Sequence, residues 1–300
     1  MNVPFFTYLE ARSLEEACAL LREHSSDARV LAGGTDLLVK MKHRRLVPTH
    51  VVNIKGVPGL DYIEHEPGKG LRIGALTSIE SVKRSLTVRK KFPVLHQAAA
   101  YMATIAIRNR ATLVGNICNG SPSAEAAPAL IVLGAEARIV GPGSERVVAV
   151  EDFFTGPGCT VLEPAEIVAE ILVPEPPAGS AAVYEKHSLR RMDVAMVGVA
   201  ALVVPKRGAG EGPAVCGDIK IALSAVAPTP VRAKNAEAVL RGSVPTLDLV
   251  AAAARAAAEE SRPVTDIRGK AETRRSIVEH LTAQVLHQAL RSAKLEVGSS

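Results

Sequence analysis

Two stretches of small residues are the places where this chain could do chemistry. The first is Leu31-Ala32-Gly33-Gly34-Thr35-Asp36-Leu37-Leu38-Val39. An apolar run through Leu31 reads as a short buried strand, two glycines break it, and a helical pattern follows through Leu37, Leu38 and Met41. Paired glycines let a backbone turn sharply and let a ligand approach with no Cβ in the way. Thr35 or Asp36 is placed to cap the helix, and its exposed N–H groups and positive end would seat a phosphate. A plain strand–turn–helix connection would use the same residues, so this segment alone leaves both readings open. The second stretch runs from Ile107 to Ile117 through Thr112, Val114, Gly115 and Asn116, and is followed by a small polar loop from Cys118 to Glu125. That loop has room for a ligand and offers hydroxyls, amides and one carboxylate, Glu125. The same acid would also be favoured as a solvated residue at a helix N-terminus.

Other chemistries find little support. No Gly-x-Gly-x-x-Gly and no P-loop occurs, which disfavours the usual dinucleotide and nucleotide-hydrolase folds. Cys18, Cys118, Cys159 and Cys216 are far apart, with no Cys-x-x-Cys or paired-histidine spacing, so no metal site is expected on this chain. A disulfide framework is equally disfavoured. The eight histidines are scattered and no catalytic acid, base or nucleophile can be nominated.

The elements that must position these stretches follow from periodicity. An extended piece at 5–8, a helix over 14–24 opened by the Ser13/Glu16 capping box, and strands at 29–31 and 51–54 make a βαβ-like unit. Beyond Gly56 the pattern predicts strands over 60–64 and 71–76, a short helix over 79–85 and a longer one over 95–107. A helix over 126–133, a hairpin at 137–140 and 146–150, a short helical piece at 151–154 and a strand over 167–173 come next. The Pro/Gly tract at 174–179 is the predicted domain boundary. Strands over 182–187, 194–204 and 219–226 follow, with a glycine-rich turn at 208–212. Helices over 231–240, 247–260 and 270–294 and a frayed end at 298–300 complete the chain.

Three hundred residues suffice for two or three domains, and 47% hydrophobic against 22% charged residues is a globular profile. The longest apolar stretch, 195–204, is far short of a bilayer span. The N-terminus lacks the basic and apolar regions of a signal peptide, so a cytoplasmic location is expected. The net charge of +5 is mild. Its clusters at 40–45 and 83–91 have no interleaved aromatics, and the chain holds only five Phe, four Tyr and no Trp. Nucleic-acid binding is therefore disfavoured against solvated helix faces or a seam for an acidic partner.

Seven segments in order carry a family resemblance. They are Ala32-Gly33-Gly34-Thr35-Asp36, Ile73-Gly74-Ala75-Leu76-Thr77, Ile107-Arg108-Asn109 with Thr112, Gly115 and Asn116, and Glu166-Ile167-Val168. Lys186 with Arg190, Arg191, Asp193 and Ala195 follows, then Ala227-Pro228-Thr229-Pro230 and Asp266-Ile267-Arg268-Gly269. Across residues 3–292 the chain resembles the FAD-binding medium subunit of molybdenum hydroxylases, the xanthine dehydrogenase, carbon monoxide dehydrogenase and 4-hydroxybenzoyl-CoA reductase group. The cysteine-rich loop that holds a 4Fe–4S cluster in the last of these is missing here.

The resemblance implies an α+β chain: a two-subdomain FAD-binding region of the vanillyl-alcohol-oxidase type at 1–55 and 56–177, then a small α+β domain with a three-stranded antiparallel sheet at 178–300. It implies non-covalent FAD held by Leu31, Ala32, Gly33, Gly34, Thr35, Asp36 and Leu37 on one side. Thr112, Val114, Gly115 and Asn116 would hold the other, and Glu125 would bind a ribose hydroxyl. Ala75, Thr77, Met102, Val168 and Lys186 would line the rest, with Lys186 near the flavin ring or else solvent-facing on its strand. Val114 replaces the usual glycine, which disfavours a positive φ there and predicts altered contact geometry. The implied function is electron transfer from a small 2Fe–2S partner subunit to an external acceptor. A large molybdenum-cofactor subunit would act on the substrate, in a heterotrimer paired to a heterohexamer. A self-contained flavin oxidase and a flavin-free scaffold are the alternatives.

Overall fold

The computed structural model describes residues 3–206 and 213–298; the expected glycine-rich turn at 208–212 and the last two serines lie outside them. The chain opens with β1 (Thr7–Glu10), α1 (Leu14–His24), β2 (Ala28–Leu31), α2 (Leu37–Lys42) and β3 (His50–Asn53). Ser13 Oγ accepts the Glu16 N–H at 3.1 Å, while the Glu16 carboxylate takes the Arg12 N–H at 2.7 Å. That ties down the start of α1 and turns Ala17, Cys18 and Leu21 inward. The three strands are parallel in the order β1-β3-β2.

The middle of the chain contributes β4 (Ile63–Glu66), β5 (Gly70–Gly74), α3 (Ile79–Arg84), α4 (Leu86–Lys91), α5 (Pro93–Tyr101) and α6 (Ile105–Arg108). It continues with α7 (Leu113–Cys118), α8 (Ala126–Val132), β6 (Glu136–Gly141), β7 (Ser144–Ala149), β8 (Phe154–Gly156), β9 (Cys159–Thr160) and β10 (Ile167–Pro174). An antiparallel sheet of order β4-β5-β10-β6-β7 backs the helices.

Several expectations shift here. The strand placed at 60–64 starts at Ile63, because Leu60 instead accepts the Leu76 N–H at 2.8 Å. The helix expected over 95–107 breaks, with Ala103 at φ 41°. Arg108 enforces the break: it donates to the Met102 and Ala103 carbonyls at 3.0 and 2.8 Å and pairs with buried Glu80 at 2.7 Å. The basic run at 83–91, for which the sequence pattern bounds no helix beyond 85, contains α4, capped by Ser85. The helical piece at 151–154 is a single 3₁₀ turn at Val150–Asp152, and Phe154 enters β8.

The last part comprises β11 (Ala181–His187), β12 (Val197–Lys206), β13 (Val215–Ser224), β14 (Val231–Arg232), α9 (Lys234–Leu240), α10 (Leu247–Glu260) and α11 (Ala271–Ser292). Its antiparallel sheet has four strands in chain order, not three. The extra strand is the start of the helix expected at 231–240: Val231 and Arg232 pair with Leu223 and Ala222 before the helix begins. Gly298 is not frayed; it donates to Pro245 O at 3.0 Å and accepts from Leu247 at 3.2 Å.

Strand periodicity decides how this sheet packs. Val197, Val199, Ala201 and Val203 face a core shared with α10 and α11, whereas Ala200 and Leu202 join the core of the middle region. Both faces are buried, as an apolar run such as 195–204 requires. No described helix is long and apolar enough to cross a membrane.

Candidate functional site

The first glycine stretch leaves β2 and turns where only glycine can. A Cβ on Gly33 would lie 2.0 Å from the Arg110 carbonyl oxygen, so the two small-residue stretches touch backbone to backbone. Gly34 has φ 75°, the left-handed region. The N–H groups of Gly33, Gly34, Thr35 and Asp36 reach no backbone carbonyl among the described residues. Neither Thr35 nor Asp36 caps α2 with its side chain. Asp36 Oδ1 instead accepts from Asn119 Nδ2 at 3.1 Å, and Asn119 Oδ1 accepts from Lys40 Nζ at 2.6 Å. Burial pushes the Asp36 carboxyl up, against the pull of Lys40.

In the second stretch Thr112 caps α7, its Oγ1 accepting from Gly115 at 2.9 Å. Leu113 donates to Thr77 O at 3.1 Å, which leaves the Val114 N–H without a backbone acceptor among the described residues. Val114 lies in the first turn of α7, is absent from the positive-φ positions and is 4% exposed. No positive φ is needed at this residue, because the position is helical. The loop beyond α7 is held from two sides: Gly120 O accepts from Gly158 at 2.8 Å, and Pro122 O accepts from Ala225 at 2.7 Å.

Glu125 ends that loop and is buried, not solvated. Desolvation raises its carboxyl pKa, and Lys186 opposes the rise. Lys186 Nζ donates to Glu125 Oε1 at 2.8 Å and to Asp193 O at 2.8 Å.

These segments enclose a cleft of about 550 Å³. Ala32, Gly33, Gly34, Thr35, Asp36, Leu37, Ala75, Met102, Thr112, Val114, Gly115, Asn116, Glu125 and Val168 all line it. Leu31, Thr77 and Lys186 do not. Leu31 packs in a small core with Met41 and Val51. Thr77 is fully buried, exchanging hydrogen bonds with the backbone of Tyr62. Lys186 sits behind Glu125 with its side chain 1% exposed, so it is not solvent-facing on its strand. Arg29, Lys40, Ile107, Cys118, Asn119 and Ile167 also line the cleft and went unnominated. Lys40 had a signal, standing one helical turn from Asp36. Burial pushes the Cys118 thiol up to about 12, away from the thiolate form.

Comparison with known proteins gives the cleft a family. Residues 4–176 match the family model described as FAD binding domain in molybdopterin dehydrogenase, and residues 182–289 match CO dehydrogenase flavoprotein C-terminal domain. The chain belongs to this FAD-binding molybdopterin dehydrogenase family. It is 35% identical over 289 residues to the carbon monoxide dehydrogenase medium chain of Hydrogenophaga pseudoflava, spanning 96% of this chain and 98% of that one. It is 31% identical over 291 residues to the xanthine dehydrogenase FAD-binding subunit of Escherichia coli O157:H7, spanning 96% and 97%. In three dimensions it matches a chain of carbon monoxide dehydrogenase from H. pseudoflava, solved without the Mo-pyranopterin moiety of its molybdenum cofactor. That match has a TM-score of 0.92 at 36% identity and covers 97% of this chain and 99% of the other. The family is one of oxidoreductase subunits, and this chain is an oxidoreductase subunit of that kind.

Proposed function

We propose that this chain is the medium, electron-transferring subunit of a molybdenum hydroxylase and that FAD lies non-covalently in the cleft. Two loops with unpaired backbone N–H groups line one cleft beside the buried carboxylate of Glu125, and that observation carries the reading. The donor set suits the group. Neutral N–H donors from Gly33–Asp36 and Val114 match a diphosphate, and a carboxylate matches a ribose hydroxyl. The helices behind both loops have six residues each, so the individual N–H groups matter more than any helix dipole. Leu31 and Thr77 then support the loops from behind, while Ala75, Met102 and Val168 supply apolar wall. FAD bound in the cleft would supply the redox chemistry, both one-electron and two-electron. The chain's own part is to bind, orient and shield.

The electrons would come from a small 2Fe–2S subunit served by a large molybdenum-cofactor subunit, in a heterotrimer paired to a heterohexamer. The domain plan is 1–55, 56–177 and 178–300, the first two of the vanillyl-alcohol-oxidase type; the separate parallel and antiparallel sheets support it. Four unpaired cysteines agree with a cytoplasmic location. The test is the visible spectrum of the chain purified alone and after co-expression with the two partner subunits. Flavin bands near one FAD per chain, released unmodified by acid, are expected. No flavin in either preparation overturns the reading and leaves a scaffold.

A further inference from the structure

We infer that Lys186 is a positioning residue: it holds the Glu125 carboxylate at the cleft wall from behind and makes no contact with the ligand itself. The inference rests on the reading that the cleft takes FAD. Its basis is the geometry of three groups. Lys186 Nζ is 2.8 Å from Glu125 Oε1 and 2.8 Å from the Asp193 carbonyl, with side-chain exposures of 1% for the lysine and 10% for the acid. Glu125 lines the cleft and Lys186 does not. Two of the three ammonium donors are therefore spent inside the protein. Only one carboxylate oxygen is engaged by the lysine, and Oε2 has no side-chain donor among the described residues. That oxygen is the acceptor left for a ligand hydroxyl.

The rest of the surroundings cannot do the lysine's work. Glu125 stands just before α8, whose residues, Ala126-Ala127-Pro128-Ala129-Leu130-Ile131-Val132, carry no polar side chain. The titratable groups that face the acid from β11 are Lys186 and the fully buried Tyr184, whose hydroxyl is kept protonated by burial and then by the charge of Glu125. Without the ammonium, Glu125 would be a buried carboxylate with only its own backbone N–H as a donor, beside a neutral phenol and an apolar helix. Such an acid takes up a proton more readily and no longer has a fixed orientation. Lys186 thus secures both the ionised state and the direction of the acceptor, across the boundary between the middle sheet region and the last sheet.

The experiment uses the full chain, stripped of flavin and titrated with FAD, following flavin fluorescence from mildly acidic to mildly alkaline pH. Four proteins are compared: wild type, E125Q, K186M and the double variant. K186M is expected to weaken FAD by about tenfold to a hundredfold, the worth of a charge-assisted hydrogen bond. Its loss should grow toward acidic pH, whereas E125Q should lose affinity evenly across the range. The double variant should bind no worse than E125Q alone. It replaces a buried ion pair by neutral groups, a change folds generally tolerate, so it remains readable even if K186M is poorly folded. If K186M also weakens FAD in the E125Q background, the lysine touches the ligand or acts through Asp193, and the inference is overturned. Unchanged affinity in K186M overturns it equally. If the wild type takes no FAD at any pH, the cofactor reading itself has failed, and this inference falls with it.

Discussion

A methyl group on Gly33 would sit 2.0 Å from the Arg110 carbonyl oxygen and 2.8 Å from its carbon, both backbone atoms with no freedom to turn aside. The substitution G33A must therefore separate the two cleft loops or distort one of them. It should destabilise the chain by about 3 kcal/mol, at the upper end for forcing atoms into a packed contact, and should abolish flavin retention. Urea denaturation with parallel flavin analysis reads both. A stable, flavin-loaded G33A protein would show that the loops are not locked together. Val114 makes the opposite case. Its side chain belongs to the buried core and its backbone to α7, so a β-branched residue is accommodated where a ligand-binding loop glycine had been inferred. What matters at that position is the free N–H, and any residue except proline supplies one.

Among the elements, the Asp266–Gly269 turn shows how charge fixes a loop on α11. Asp266 accepts from the Arg268 N–H at 2.9 Å and its guanidinium at 2.6 Å, and also from Arg274, whose side chain is almost wholly buried. The Arg268 bonds, and then those from Arg274, hold the carboxyl well below the usual carboxylate range. A depressed folded pKa stabilises the fold fully above the unfolded value of about 3.9 and loses that contribution as the pH falls through the lower folded value. D266N should therefore be less stable than wild type at neutral pH by about 1–3 kcal/mol. The gap should close below about pH 4. Thermal melts across acidic pH test this, and a gap that persists into strong acid would contradict it. Elements of this kind also mark the limit of what the sequence could say. A helix with a local signal, such as Ser13 before α1, was legible because cap and helix are neighbours in sequence. The break between α5 and α6 was not, since it depends on an ion pair between residues 28 positions apart. The pairing of Glu125 with Lys186 across 61 positions was equally silent. The glycine loops, which line one cleft, could be read as a candidate site; the groups that hold them in place could not.

At the scale of the whole molecule, the last sheet is a wall with two sides. Ala200, Leu202, Ala222 and Tyr184 belong to the core of the middle region, while their neighbours along the strands belong to the core under α10 and α11. The two regions should consequently melt together. Calorimetry of the full chain is expected to give one transition whose calorimetric and van't Hoff enthalpies agree, and two resolved transitions would mean that the wall does not couple them. The contact between Ala225 and Pro122 carries this further. Ala225 stands at φ 66°, unusual for a residue with a side chain, and its N–H reaches across to the loop that ends in Glu125, while its carbonyl is held by Arg274. The segments at 4–176 and 182–289 are thus not interchangeable cassettes. A recombinant that inherited one half from a distant cousin would also have to inherit the matching bend at 225, or its ligand loop would be left without its anchor.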